Sequence, residues 1–351
     1  MYIGIVSDLH GNAAAWRAVS SSLQGVDQIL CLGDMVGYGP NSIECLQPAL
    51  DGRFTRWIRG NHEEGWWVLR NLLKPGYEAN GRQRLLDRWT QTYSLWQSPE
   101  TRLEAAALVN TLAESIVKNS EDDRDAILPL QYRTGLNARS VAISSWMHFE
   151  LELCNETKGE VFHQMVDHPD HSAPQTWETD GLRLYMTHET DGGYLYPWAS
   201  PDSIERVAKT LPAGKPSVYL FGHSHIPMYA PIDDGNMQSH DPAYIAYGSW
   251  LPLGNTITLI NPGSVGWGRD GDQRPAYAVL DTTNRMVCYC RIESGYDVSE
   301  TVLALAERGF PNKLISEVAQ GSIGISSSEP RRAYAVELLE KRKQLVGGVC
   351  P

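Results

Sequence analysis

Short apolar or β-branched runs recur along this chain at 2–7, 28–32, 55–59, 182–187, 217–221, 256–260, 276–281 and 286–292, most of them bounded by Gly, Asp, Asn or Pro. Runs of this length and composition read as buried strands. Helix-like stretches fall between several of them, at 13–23, 42–50 and 201–211, the last opened by the capping signal of Asp202 and Ser203. Strand, loop and helix in alternation predict an α/β fold.

That rhythm stops between residues 65 and 180. The first part of the interval looks helical, with Leu85, Leu86 and Trp89 near one face and an Ala- and Leu-rich stretch at 101–117, while 118–179 is polar and lacks a clear period. Because strands resume afterwards, 65–180 reads as a largely helical inserted cap within a discontinuous core of 1–64 and 181–310. A smaller insertion, 231–254, separates two strands. Residues 311–351 form a helical tail whose charged run, 337–343, reads as a solvated face.

The residues that carry chemistry stand at strand ends, where the loops of an α/β sheet present reactive groups. The first strand runs into Asp8-Leu9-His10, the second into Gly33-Asp34 and the third into Gly60-Asn61-His62-Glu63. The fourth reaches His188 and the fifth Gly222-His223-Ser224-His225. Asp8 and His10 are two positions apart, so strand geometry carried through them would turn both to one side. Taken singly, Asp8 reads as a helix cap, His10 as a surface histidine and Gly33-Asp34 as a turn. Taken in order, they are a ligand set of carboxylate, amide and imidazole groups, which suits Mn, Fe, Zn or Ni better than Mg or Ca. Asp8, His10, Asp34, Asn61, His188, His223 and His225 are more donors than one ion needs. Two ions about 3.5–4 Å apart can share a bridging Asp. The expectation is a pair of divalent transition-metal ions, Mn first, that acidify a bridging water so that hydroxide attacks phosphorus.

The series Asp-x-His, Gly-Asp, Gly-Asn-His-Glu, His and Gly-His-x-His resembles the calcineurin-like metallophosphoesterase family. The resemblance implies a four-layer α/β/β/α sandwich, with two sheets inside and helices outside. It also implies one ion on Asp8, His10 and His225, another on Asn61, His188 and His223, and Asp34 bridging them. His62 would be the histidine that binds no metal and stabilises the transition state or protonates the leaving oxygen. Gly33-Asp34-Met35-Val36-Gly37-Tyr38-Gly39-Pro40 and Ile260-Asn261-Pro262-Gly263-Ser264-Val265-Gly266, with Arg269-Asp270-Gly271-Asp272, are similar to the compact prokaryotic branch of the family, often described as phosphodiesterases. The similarity covers about 1–65 and 182–307. Two departures stand out. Gly37 and Tyr38 occupy places where the family's Ser/Thr protein phosphatases carry an Asp and an Arg, which argues against that activity. Glu189 follows His188 where many relatives have glycine.

Gly263-Ser264-Val265-Gly266 reads as a tight turn supporting the site rather than as an oxyanion-binding loop. Arg269 and Arg274 are the nearby candidates to grip a phosphate. His163, His168 and His171 read as a polar surface loop, and the tryptophans of the insertion as core packing before base stacking.

Composition narrows the partners. A net charge of -12 without a basic run argues against nucleic acid, leaving a small phosphorylated substrate drawn in by bound cations. The sequence shows no signal peptide and no apolar stretch of about 18 residues, so a cytoplasmic protein without a membrane span is expected. Cys31, Cys45, Cys154, Cys288, Cys290 and Cys350 are expected as reduced, mostly buried thiols. The function expected is metal-dependent hydrolysis of a phosphodiester or phosphomonoester. The alternative is a non-catalytic metal-binding scaffold, although scaffolds of this fold usually lose ligands that this chain keeps.

Overall fold

The computed structural model describes residues 1–63, 171, 174–190, 195, 206, 209, 215–233, 236–237, 245–307, 315–316 and 318–319. The chain divides into two units, one of Met1–Gly60 with His168–Pro351 and one of Asn61–Asp167. Of the second unit, the described residues are 61–63, a helical start whose side chains are buried. The described strands all belong to the first.

Its elements run β1 (Tyr2–Val6), α1 (Ala13–Ser22), β2 (Gln28–Cys31), α2 (Ser42–Leu50), β3 (Arg56–Trp57), β4 (Gln175–Thr179), β5 (Leu182–Met186), β6 (Ser217–Leu220), β7 (Met228–Asp233), β8 (Asn236–Met237), β9 (Trp250–Pro252), β10 (Ile257–Asn261), β11 (Ala276–Asp281), β12 (Met286–Arg291) and α3 (Val298–Glu307). They build two sheets, ordered β3-β2-β1-β11-β12-β9 and β4-β5-β6-β10-β7-β8. Strands β1, β2 and β3 are mutually parallel, as are β5, β6 and β10. Parallel neighbours deliver their C-terminal ends to the same edge, which is where an α/β sheet places its site.

Period-two alternation decides which residues fill the space between the sheets. Ile3, Ile5, Leu30, Ala278, Leu280, Val287 and Tyr289 of the first sheet pack with Leu184, Met186, Val218, Leu220 and Ile260 of the second. Burying such side chains contributes about 1.5–3 kcal/mol each. Gly4, between Ile3 and Ile5, faces the other way, where an added Cβ would come within 2.9 Å of Leu23 just past α1. The missing side chain lets the chain leaving α1 lie against β1. The Asn12 side chain caps α1 by accepting from the Ala15 N–H at 3.1 Å.

Each strand expected from the sequence is present, and 201–211 lies almost wholly outside the described residues. Two segments differ from the reading of the insertions. Residues 175–179, expected within the cap, form edge strand β4 antiparallel to β5, with Trp177 opposite Leu184. Their Gln, Thr and Glu content hides a strand that is half exposed. The interval 231–254 likewise holds the end of β7, β8 and β9. The helical character expected of 65–170 lies outside the described residues, as does most of the tail, of which 315–316 and 318–319 are helical. Cys31, Cys45, Cys288 and Cys290 are buried thiols outside any disulfide, while Cys154 and Cys350 are not among the described residues. Among the described residues, no helix is long and apolar enough to cross a membrane.

Candidate metal centre

Strands β1, β2, β5 and β6 end two or three residues before Asp8, Asp34, His188 and His223, the first group that each brings to the site. Asp8, His10 and Asp34 take φ of 55°, 45° and 54°, and His223 and His225 take 66° and 59°. Left-handed backbone at residues other than glycine costs of order 1–3 kcal/mol each and collects at functional sites. The structure corrects the expectation that strand alternation aims Asp8 and His10 together: β1 stops at Val6, and consecutive left-handed turns bring the side chains round. Backbone bonds hold the turns, from Asp8 N to Gly33 O at 3.0 Å, His10 N to Asp34 O at 2.9 Å and Gly266 N to Asp8 O at 3.0 Å.

Two buried clusters of ligand atoms result. One comprises Asp8, His10, Asp34 and His225, the other Asp34, His188 and His223, and within each the atoms lie within 4.8 Å of one another. Asp34 belongs to both. Its Oδ2 is 3.2 Å from His188 Nε2 and 3.6 Å from His10 Nε2, and Asp8 Oδ1 is 3.2 Å from His225 Nε2.

Three imidazoles have their outer nitrogen engaged by a carbonyl. His10 Nδ1 lies 3.1 Å from Val36 O, His188 Nδ1 2.7 Å from Leu32 O and His225 Nδ1 2.7 Å from Trp267 O. A carbonyl only accepts, so each Nδ1 carries a proton; a ring in its neutral form then presents its Nε2 lone pair to the cluster, and His188, held protonated by Asp34, would do so once an ion displaces its second proton. His10 Nε2 and His225 Nε2 then face each other at 3.0 Å. Asp8 Oδ1 is buried and accepts no hydrogen bond among the described residues. Opposed lone pairs and a carboxylate oxygen without a donor are what a cation satisfies. The donor set therefore fits divalent metal.

The charges respond to that crowding. Burial disfavours the cation at His188, yet Asp34, with Asp8 and Glu189, holds its pKa up at about 10. His223 is driven well below the ordinary histidine value by burial and by His188, and His225 is lowered by burial and by Arg269. Burial and Asp34 raise the carboxyl of Glu189.

Asn61 and His62 are buried and follow Gly60, where an added Cβ would overlap the Asp34 carboxylate and lie 2.5 Å from Asp34 N. Arg269 is buried, with its N–H 3.4 Å from His225 O and its guanidinium 3.5 Å from His223 O. Arg274 is committed to neighbours, donating to Asp272 at 2.7 Å and to Glu293 at 2.6 Å. The 263–266 turn spends its N–H groups on the protein: Val265 N donates to Ser7 O at 3.0 Å, and the Ser264 hydroxyl donates to Asp8 O at 2.8 Å. His171 stacks on Trp57 at 3.7 Å, and His148, His163, His168 and His240 are not among the described residues.

Sequence reasoning missed Trp267. Its indole N–H donates to His10 O at 3.0 Å, its carbonyl receives His225 Nδ1–H, and its ring lies 5.4 Å from Tyr38, which in turn lies 4.6 Å from the His10 ring. Nothing in the string marks it except its place directly after Gly266.

A two-sheet α/β sandwich that gathers carboxylates and imidazoles at its parallel strand ends defines a metallohydrolase. The chain belongs to the calcineurin-like phosphoesterase family, whose model matches residues 1–227. It is accordingly a hydrolase of a family that uses divalent metals. An uncharacterized protein of Methanocaldococcus jannaschii is 24% identical over 314 residues, spanning 89% of this chain and 95% of that protein. A metallophosphoesterase from Sphaerobacter thermophilus superposes with a TM-score of 0.57 at 22% identity, covering 92% of this chain and 99% of that one. A hypothetical protein from Pyrococcus horikoshii OT3 does so with a TM-score of 0.55 at 12% identity, covering 91% and 98%. Both structures share the fold.

Proposed function

We propose that this chain hydrolyses a small phosphate ester, diester or monoester, at a centre of two divalent transition-metal ions. The observation that carries the reading is that Asp34 sits in both ligand clusters, as a bridging carboxylate must. One ion is assigned to Asp8, His10 and His225, the other to Asn61, His188 and His223, with Asp34 between them. When bound, such a pair supplies Lewis-acid activation of water and neutralises charge on the phosphoryl oxygens. Mn is the first metal to try, with Fe, Zn and Ni as alternatives.

The chain's own residues do the rest. Val36, Leu32 and Trp267 carbonyls fix His10, His188 and His225 in the tautomer that offers Nε2. His62 is proposed to protonate the leaving oxygen or to stabilise the developing charge. Arg269, buried beside the 223–225 loop, is the residue proposed to bind phosphate. The bonds of Arg274 to Asp272 and Glu293 support a structural duty for it in the same loop. Residues 65–174, between the two parts of the core, are proposed to choose among esters, since the metal ligands are common to the family and cannot.

The test is hydrolysis of bis-p-nitrophenyl phosphate and p-nitrophenyl phosphate by metal-stripped protein, with Mn, Ni, Zn or Mg restored. Turnover should require a transition metal and fall at least about 100-fold in His62→Ala, the usual range for lost acid–base catalysis. Asp34→Ala should abolish it. Metal binding without cleavage of either ester, or of any longer phosphoester tried, would move the chain to the scaffold class.

A further inference from the structure

We propose that Glu189 contributes a carboxylate oxygen to the ion assigned to Asn61, His188, His223 and the shared Asp34. The inference rests on the metal-centre reading and extends it by a residue that the family pattern does not supply.

Glu189 Oε1 is buried and makes no hydrogen bond among the described residues. It stands 3.4 Å from Nε2 of His223, and no hydrogen bond joins the two. A carboxylate oxygen withdrawn from water without a donor is costly to keep, and a cation removes that cost. With metal–ligand bonds of about 2.0–2.2 Å, neighbouring donors on one ion lie roughly 3–3.5 Å apart. The 3.4 Å between Glu189 and His223 falls in that range, as do the 3.0 Å between His10 and His225 and the 3.2 Å between His188 and Asp34. Glu189 stands at the margin of the Asp34, His188 and His223 cluster rather than within it, so it would turn in from His223 as the ion binds.

The position is held by the backbone. Gly222 N donates to His188 O at 3.0 Å, tying the 187–189 segment to the loop that carries His223. The Thr187 hydroxyl donates to Glu189 O at 2.7 Å and closes the turn from within. A glycine after His188 would leave this place to water. With Glu189 there, the ion gains an anionic oxygen donor beside neutral imidazole and amide groups, which shifts preference toward Mn and Fe and away from Zn.

Calorimetric titration of the metal-stripped full chain with Mn²⁺ tests this without reference to activity. Wild type should take up two ions. Glu189→Ala should keep one at unchanged affinity and bind the other at least tenfold more weakly, with a smaller loss for Zn²⁺ than for Mn²⁺. Glu189→Gln, isosteric and uncharged, should show the same loss in smaller degree and guards against misfolding of the alanine variant. In a His223→Ala background, removing Glu189 should weaken Mn²⁺ again. No further loss there would mean that Glu189 acts only by orienting His223, and would overturn the proposal. So would wild-type affinities in Glu189→Ala. A wild-type chain that binds no Mn²⁺ or Zn²⁺ would overturn the metal centre itself, a result distinct from both.

Discussion

Nε2 of His10 and Nε2 of His225 lie 3.0 Å apart, with both rings buried and each Nδ1 engaged by a carbonyl. Neither ring can turn its lone pair elsewhere without losing its outer hydrogen bond. A cation between them relieves the opposition, so binding and stability are coupled. Mn²⁺ at about 100 times its Kd should stabilise the chain by about 2.7 kcal/mol per site, and a chelator should reverse it. Differential scanning calorimetry with and without metal measures this as a rise in Tm of several degrees. An unchanged Tm would mean that nothing binds the folded state preferentially.

Trp267 braces both of those histidines. Trp267→Phe keeps the carbonyl and most of the ring but loses the indole donor to His10 O. It should cost about 1 kcal/mol of stability, the usual value of a hydrogen bond. The carbonyl that receives His225 Nδ1–H stays, so metal binding should weaken by less than the 10–100-fold typical of losing a ligand's own outer partner. The weakening should fall on the Asp8, His10 and His225 ion and spare the other, as read by the two phases of a metal titration.

Gly266 packs against the backbone between Asp8 and His10: a Cβ there would overlap Leu9 O and come within 2.6 Å of Leu9 C. Backbone cannot move aside as a side chain can. Gly266→Ala should therefore lower metal affinity and stability together, whereas Gly25→Ala, with open space around it, should leave metal affinity unaltered. Equal metal binding by both variants would count against the described loop.

Arg291, the last residue of β12, forms a buried ion pair with Asp270 in the loop that carries Arg269, and also donates to Arg274 O and to the Tyr247 hydroxyl. Arg291→Met would strand the Asp270 charge, at a cost of about 3–5 kcal/mol. Pairing it with Asp270→Leu should recover most of the loss. Urea unfolding of the single and double variants reads both numbers.

Asp272 gives the same loop a pH signature. Burial opposes its charge, but Arg291 and Arg274 outweigh burial and hold the carboxyl well below the ordinary range. A lowered folded pKa means that the unfolded chain binds more protons in acid, so this stabilisation is complete above the unfolded value of about 3.9 and is lost as pH falls below it. The stability gap between wild type and Asp272→Asn should be constant above about pH 5 and close below about pH 4. A gap that widens in acid would contradict the assignment.

Much of the core was legible because buried parallel strands write themselves as short apolar runs, and 2–7, 28–32 and 217–221 are examples. Strand β4 was not, since Gln175, Thr176, Glu178 and Thr179 satisfy an edge position with polar side chains. The residues of the two candidate clusters were readable as residue types at strand ends. The way it converges was not: left-handed turns at Asp8, His10, Asp34, His223 and His225 leave no trace in composition. Glu189 and Trp267 were invisible as partners for a related reason. Each matters through a residue far away in sequence, His223 for one and His10 and His225 for the other.

The count of metal ions per chain tests the central claim most directly. Elemental analysis and electron paramagnetic resonance of Mn-loaded protein, freed of excess metal, should find two ions in magnetic exchange with each other, and Asp34→Asn should abolish the exchange and reduce the count. One ion per chain, or two without exchange and unaffected by Asp34→Asn, would contradict a shared centre built on Asp34.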